Sequence, residues 1–178
     1  MFNKDFKEIL SIEIVSMTGG LFAGFLLAFI TNKLEVIPGL LLLLPGFLEI
    51  RGSISGSLSA RISSALFLKV LKPTISKQRI LYGNITAAVA MGIILSLILG
   101  VMAFLLSFFV FQINYPNIIL MSLIAGVLAT IIEIPLTLSA TFWLFKRGHD
   151  PNNVMGPYIT TVGDIVSVLS IMFAMVII

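Results

Sequence analysis

Apolar residues run along this chain in five long blocks, each parted from the next by a short cluster of polar, Pro or Gly residues. The first block runs from Ile12 to Ile30 and closes at Thr31-Asn32-Lys33. The second lies within residues 36–68, and the third within 80–111, ended by Gln112-Ile113-Asn114-Tyr115-Pro116. The fourth spans Ile118 to Phe145 before Lys146-Arg147-Gly148, and the fifth runs from Tyr158 to Ile178, opened by Pro157. About 20 apolar residues carry a helix across a bilayer, so the pattern predicts five transmembrane helices. The second and third blocks, about 48 Å long as helix, exceed the roughly 30 Å hydrocarbon core. They must tilt, break or project beyond it.

Composition agrees with that reading. Of 178 residues 58% are hydrophobic and 11% charged, against about 25% charged in soluble domains. The expectation is an all-α, multi-pass protein of the cell membrane with the lipid bilayer as its surroundings. The five blocks use up the sequence, which suggests a single transmembrane domain over 1–178 without a cytoplasmic regulatory domain. The N-terminus mixes acids with bases and lacks the basic start of a secretory signal, so the first block reads as a retained span. With no Cys and one His, disulfides and zinc-type clusters are excluded. The basic residues have no aromatic interleaving, so no nucleic-acid partner is expected.

Charge sets the expected orientation. Lys4, Lys7, Lys69, Lys72, Lys77, Arg79, Lys146 and Arg147 fall on the N-terminal side of the membrane, and Lys33 alone on the other. The positive-inside rule then puts the N-terminus in the cytoplasm. Trp143, Tyr82 and Tyr158 fit an aromatic belt on that side.

Ionisable residues within hydrocarbon are costly and commonly mark an ion route. Asp164 falls seven residues into the fifth block, about 10 Å deep. Thr160, Asp164 and Ser167, spaced i, i+4 and i+7 with Thr161 beside them, predict a polar stripe on one helix face. Glu133 lies midway along the fourth block near Thr130, Thr137 and Thr141, with Pro135 expected to kink that helix. It reads equally as pore-lining or as the partner of an Arg in the second block. Glu49 and Arg51, two apart, cannot face one another on a helix. Arg51 and Arg61 read as clamps for buried carboxylates. Gly52, Gly56 and Ala60 form a small-xxx-small pattern suited to close helix packing, and Gly19, Gly20 and Gly24 suggest a second such face. Asp150-Pro151 reads as a helix N-cap with Pro at the first position. Oxygen-only ligands suit hard cations, and Mg²⁺ keeps its waters and needs only one or two carboxylates. A two-fold dimer would bring two copies of Asp164 to one axis.

Two stretches together resemble the MgtE-type magnesium transporters and their eukaryotic solute-carrier relatives. In IPGLLLLLPGFLEIRGSISGSLSARISSAL, Pro45, Gly52, Arg61, Ser63 and Leu66 match that family's signature, with Ser53 in place of its usual Asn. In DPNNVMGPYITTVGDIV, Asp164 takes the place of the family's pore Asp. The resemblance implies a homodimer of five-span subunits with a pore at the two-fold axis. It also implies a Mg²⁺ site formed by Asp164 of both subunits through bound water, with Thr160 contributing a carbonyl. Glu133, Glu49, Arg51, Arg61, Gly52, Ser53, Thr161 and Ser167 would then support or line the pore.

Three rival classes remain on the residues alone. An intramembrane aspartyl protease would need a Gly where Thr161 stands and a second Asp sharing a proton, so no enzyme is expected. A proton- or sodium-coupled carrier would use Glu13, Glu133 or Asp164. A non-transporting scaffold would rest on the Gly/Ser seams and be indifferent to Asp164.

Overall fold

A computed structural model describes residues 4–29 and 37–178. The described residues form five helices: α1 Lys4–Ala28, α2 Pro38–Phe67, α3 Arg79–Phe111, α4 Asn117–Lys146 and α5 Pro151–Ile177. All five are long and apolar enough to cross a membrane. The expected closure of the first span at Thr31-Asn32-Lys33 lies outside the described residues.

Two helix starts differ from the sequence expectation. The first helix begins at Lys4 rather than Ile12, because charged residues project beyond hydrocarbon without ending a helix. The fifth begins at Pro151 rather than at Tyr158. Asp150 caps it, its carboxylate accepting from the Asn152 amide at 2.9 Å, so Pro157 lies within the helix rather than at its mouth. Asp164 is therefore thirteen residues past Pro151, about 20 Å along the helix by rise and near its middle. The long α2 and α3 are unbroken, and α2 and α4 continue through Pro45 and Pro135.

Helices α2 to α5 form a bundle in which α2 touches α3, α4 and α5, and α4 touches the other three, while α1 lies chiefly against α5. Apolar packing occupies both ends. Leu40, Leu43, Phe47, Met121 and Ile171 form one cluster; Ile54, Leu58, Ile62, Leu138 and Phe142 form the other. Between them runs a polar layer centred on Arg51, Ser55, Ser96, Thr130 and Glu133, all buried. Lipid offers helices no hydrophobic drive to associate, so close van der Waals packing and interhelical hydrogen bonds must hold them. The α3–α4 seam supplies both. A Cβ at Gly126 would collide with the Ser96 side chain, and one at Gly100 would meet the Ile119 backbone at 3.0 Å. Ser122 donates across the seam to the Ser96 carbonyl at 2.7 Å.

The small-residue faces expected to pack are mostly open within one subunit. A Cβ at Gly52, Gly56, Gly20 or Gly24 would meet nothing within 4 Å, while one at Gly19 would run into Thr161. Spacing alone does not tell a packed glycine from one that borders open space.

Candidate functional site

A groove of about 500 Å³ runs between α2 and α5 on the outside of the bundle. Glu49, Gly52, Ser53 and Gly56 line it from α2, and Gly156, Thr160, Gly163 and Asp164 from α5. Among the described residues its lining holds two carboxylates and no cationic side chain. Glu49 is exposed and accepts a weak bond from Ser53 at 3.4 Å. Asp164 is half-buried, and Thr160 is exposed with its hydroxyl donating back to the Pro157 carbonyl at 2.9 Å. The sequence placed Asp164 and Glu49 on different helices without relating them; folding brings both onto one groove.

The stripe expected on the fifth helix divides. Thr160 and Asp164 face the groove, but Ser167 is wholly buried. Thr161 turns to α1, donating to Ser16 Oγ at 2.8 Å and to the Pro157 carbonyl at 3.0 Å. Ser16 also donates to the Pro157 carbonyl at 3.0 Å, so one α1 hydroxyl braces the turn of α5 just before Thr160. Ser16 had no signal in the sequence, since one Ser among apolar residues is unremarked until its partner helix is known.

Arg51 makes no direct bond to a carboxylate among the described residues. It is 1% exposed, and its bonded donors reach neutral oxygens. Nη1 donates to Thr130 Oγ1 at 2.6 Å and the Gly126 carbonyl at 3.2 Å. Nη2 donates to the Gly92 carbonyl at 3.1 Å and Ser96 Oγ at 3.2 Å. The planar fork thus pins α2 to α3 and α4 together, with the Phe47 ring 5.4 Å from its centre. Its charge attracts Glu133 through space rather than through any of these bonds. Arg61 likewise bonds no carboxylate among the described residues. It is exposed and folds along its own helix, Nε donating to the Ser57 carbonyl at 3.1 Å.

Glu133 lies inside the bundle, 4% exposed, and accepts from Ser55 at 3.1 Å. It does not line the groove.

Among the described residues no group of three or more His, Cys, Asp or Glu is placed to hold a metal ion. The groove therefore supplies a pair of carboxylates beside open space, a donor set that suits a hydrated hard cation better than a dehydrated one.

Comparisons with known proteins agree with this chemistry. No curated protein and no solved structure matches the chain. The family model described as MgtE, divalent cation transporter, matches residues 44–174, a stretch holding Glu49, Asp164 and most of four of the five helices. With five helices able to span a bilayer, this multi-pass membrane protein belongs to the MgtE family of divalent cation transporters.

Proposed function

We propose that the chain moves Mg²⁺ across the membrane along a pore at the axis of a two-fold homodimer, its N-terminus on the cytoplasmic side. The ion keeps most of its water and is held by Asp164 of each subunit, with Thr160 contributing a carbonyl oxygen. The observation that carries this reading is the groove shared by Glu49 and Asp164. Six waters at about 30 Å³ each need roughly 180 Å³, well within the groove's volume of about 500 Å³.

The case for a second copy rests on what the groove face would otherwise meet. Glu49, Ser53 and Ser57 are all exposed and recur every fourth residue along α2. Against lipid, that face would set a carboxylate and hydroxyls in hydrocarbon, which is costly. Two copies related by a two-fold axis set the same patch against itself and enclose a path lined by four carboxylates. The glycines at 52 and 56 leave room for that approach.

Rescue of a Mg²⁺-requiring bacterial strain tests the role of Asp164. Growth is expected with the wild type and not with Asp164→Ala at equal expression. Equal growth would remove Asp164 from the mechanism.

A further inference from the structure

Among the described residues, only one oxygen of the buried Glu133 carboxylate is bonded. Oε2 accepts from Ser55, whereas Oε1 has no hydrogen-bond partner among those residues. The Ser167 hydroxyl, wholly buried on α5, acts on the same carboxylate at longer range and also lacks a partner within hydrogen-bond geometry. An acceptor left unbonded in apolar surroundings is costly, and far more so when it carries charge.

Gly163 lies directly beside that oxygen. A Cβ there would come within 3.9 Å of Glu133 Oε1 and meet nothing nearer. A methyl group therefore fits, and alanine is the better helix former, so neither packing nor backbone conformation calls for glycine here. What the missing side chain leaves is room. Gly163, Glu133, Ser55 and Thr137 line one small cavity, with about 10 Å³ for the centre of a water molecule. That is about the least space that holds one.

We propose that this cavity is a binding site for a single water molecule, which donates to Glu133 Oε1 and reaches the hydroxyls around it. Water suits the site better than a metal ion, because the permanent charge of Arg51 already acts on Glu133 and would repel a second cation. Ile159 and Gly163 line both this cavity and the groove of Glu49 and Asp164. The water thus sits between α4 and the turn of α5 that carries Asp164. The side-chain hydrogen bond from Thr161 on α5 to another helix runs instead to α1. The proposal holds whether or not Asp164 carries the ion.

Substitution Gly163→Ala separates a wet cavity from a dry one. In a dry cavity the methyl group fills apolar space and improves helix propensity, so the melting temperature rises. In a wet one it expels the water and strips Oε1 of its partner, and the melting temperature of the detergent-solubilised protein falls by about 2–4 °C, the shift that one lost hydrogen bond gives. A melting temperature equal to or above the wild type would overturn the proposal. An experimental structure of the unmodified protein that resolves ordered water is the second measurement. Density about 2.7–3.2 Å from Glu133 Oε1 is expected. Ser167 bonded directly to Oε1, with no density in the cavity, would overturn it.

Discussion

Arg51 on α2 donates to Thr130 on α4 at 2.6 Å, inside a bundle where both side chains are almost wholly buried. Three further bonds from the same guanidinium reach Gly126, Gly92 and Ser96, so one side chain fastens three helices. Replacing Arg51 by Ala leaves those oxygens, and the charge of Glu133, without their partner. A loss of about 3–5 kcal/mol is expected, the range for breaking a buried charge network on one side. Arg51→Lys keeps the charge but not the fork and is expected to fall between. Thermal unfolding in detergent checks both; an Arg51→Ala protein as stable as the wild type would remove Arg51 as a fastener.

Gly126 faces Ser96 so closely that a Cβ would collide with its side chain. Ser96 is itself held, donating to the Gly92 carbonyl at 2.6 Å, so it has little freedom to yield. Gly126→Ala is expected to destabilise by about 1–3 kcal/mol, as overpacking does. Gly20→Ala, where a Cβ meets nothing within 4 Å, is expected to be neutral or slightly stabilising in the same unfolding assay.

Gly52 supplies the contrast that bears on assembly. Its missing side chain opens on the groove and touches nothing in its own subunit. Gly52→Trp should leave the single subunit folded while blocking a second copy from approaching. Light scattering of the purified protein is expected to give a dimer for the wild type and a monomer for the variant. A variant that stays dimeric would place the interface elsewhere.

Much of the fold was legible because hydrophobic length alone marks a span, and the charged gaps mark its ends. Faces were less legible. The Gly52-Gly56-Ala60 spacing promised a packed seam, and the structure leaves Gly52 and Gly56 open, while the seam that is packed runs through Gly92, Gly100 and Gly126. Both sets consist of small residues, and only the neighbouring helix decides between them. The acids and bases were visible as such, but their partners were not. Arg51 bonds to groups 41 to 79 residues away, a distance no helical period reaches. Asp164 and Glu49 were both visible as candidates, yet their common groove depends on how α2 crosses α5. The N-cap expected at Asp150-Pro151 is the start of the fifth helix, and the span expected from Tyr158 continues it, so Pro157 lies inside one helix rather than opening a separate one.

Ser16 is the brace that sequence reasoning missed. Its hydroxyl and that of Thr161 both bond the Pro157 carbonyl, holding α1 to α5 one turn before Thr160. Ser16→Ala is expected to cost about 1 kcal/mol, the usual worth of such a bond, and to speed amide exchange along α1 more than along α3. Hydrogen exchange read by mass spectrometry checks this; equal change in both helices would point to general loosening instead.

Glu49 and Asp164 border the same groove, and transport is expected to depend on both. Mg²⁺ entry into liposomes carrying a trapped indicator dye tests this most directly, comparing the wild type with Asp164→Asn and Glu49→Gln. Asp164→Asn is expected to fall to the level of empty liposomes, with Glu49→Gln reduced but measurable. Wild-type flux from Asp164→Asn, at equal reconstitution, would contradict the claim that this groove carries the ion.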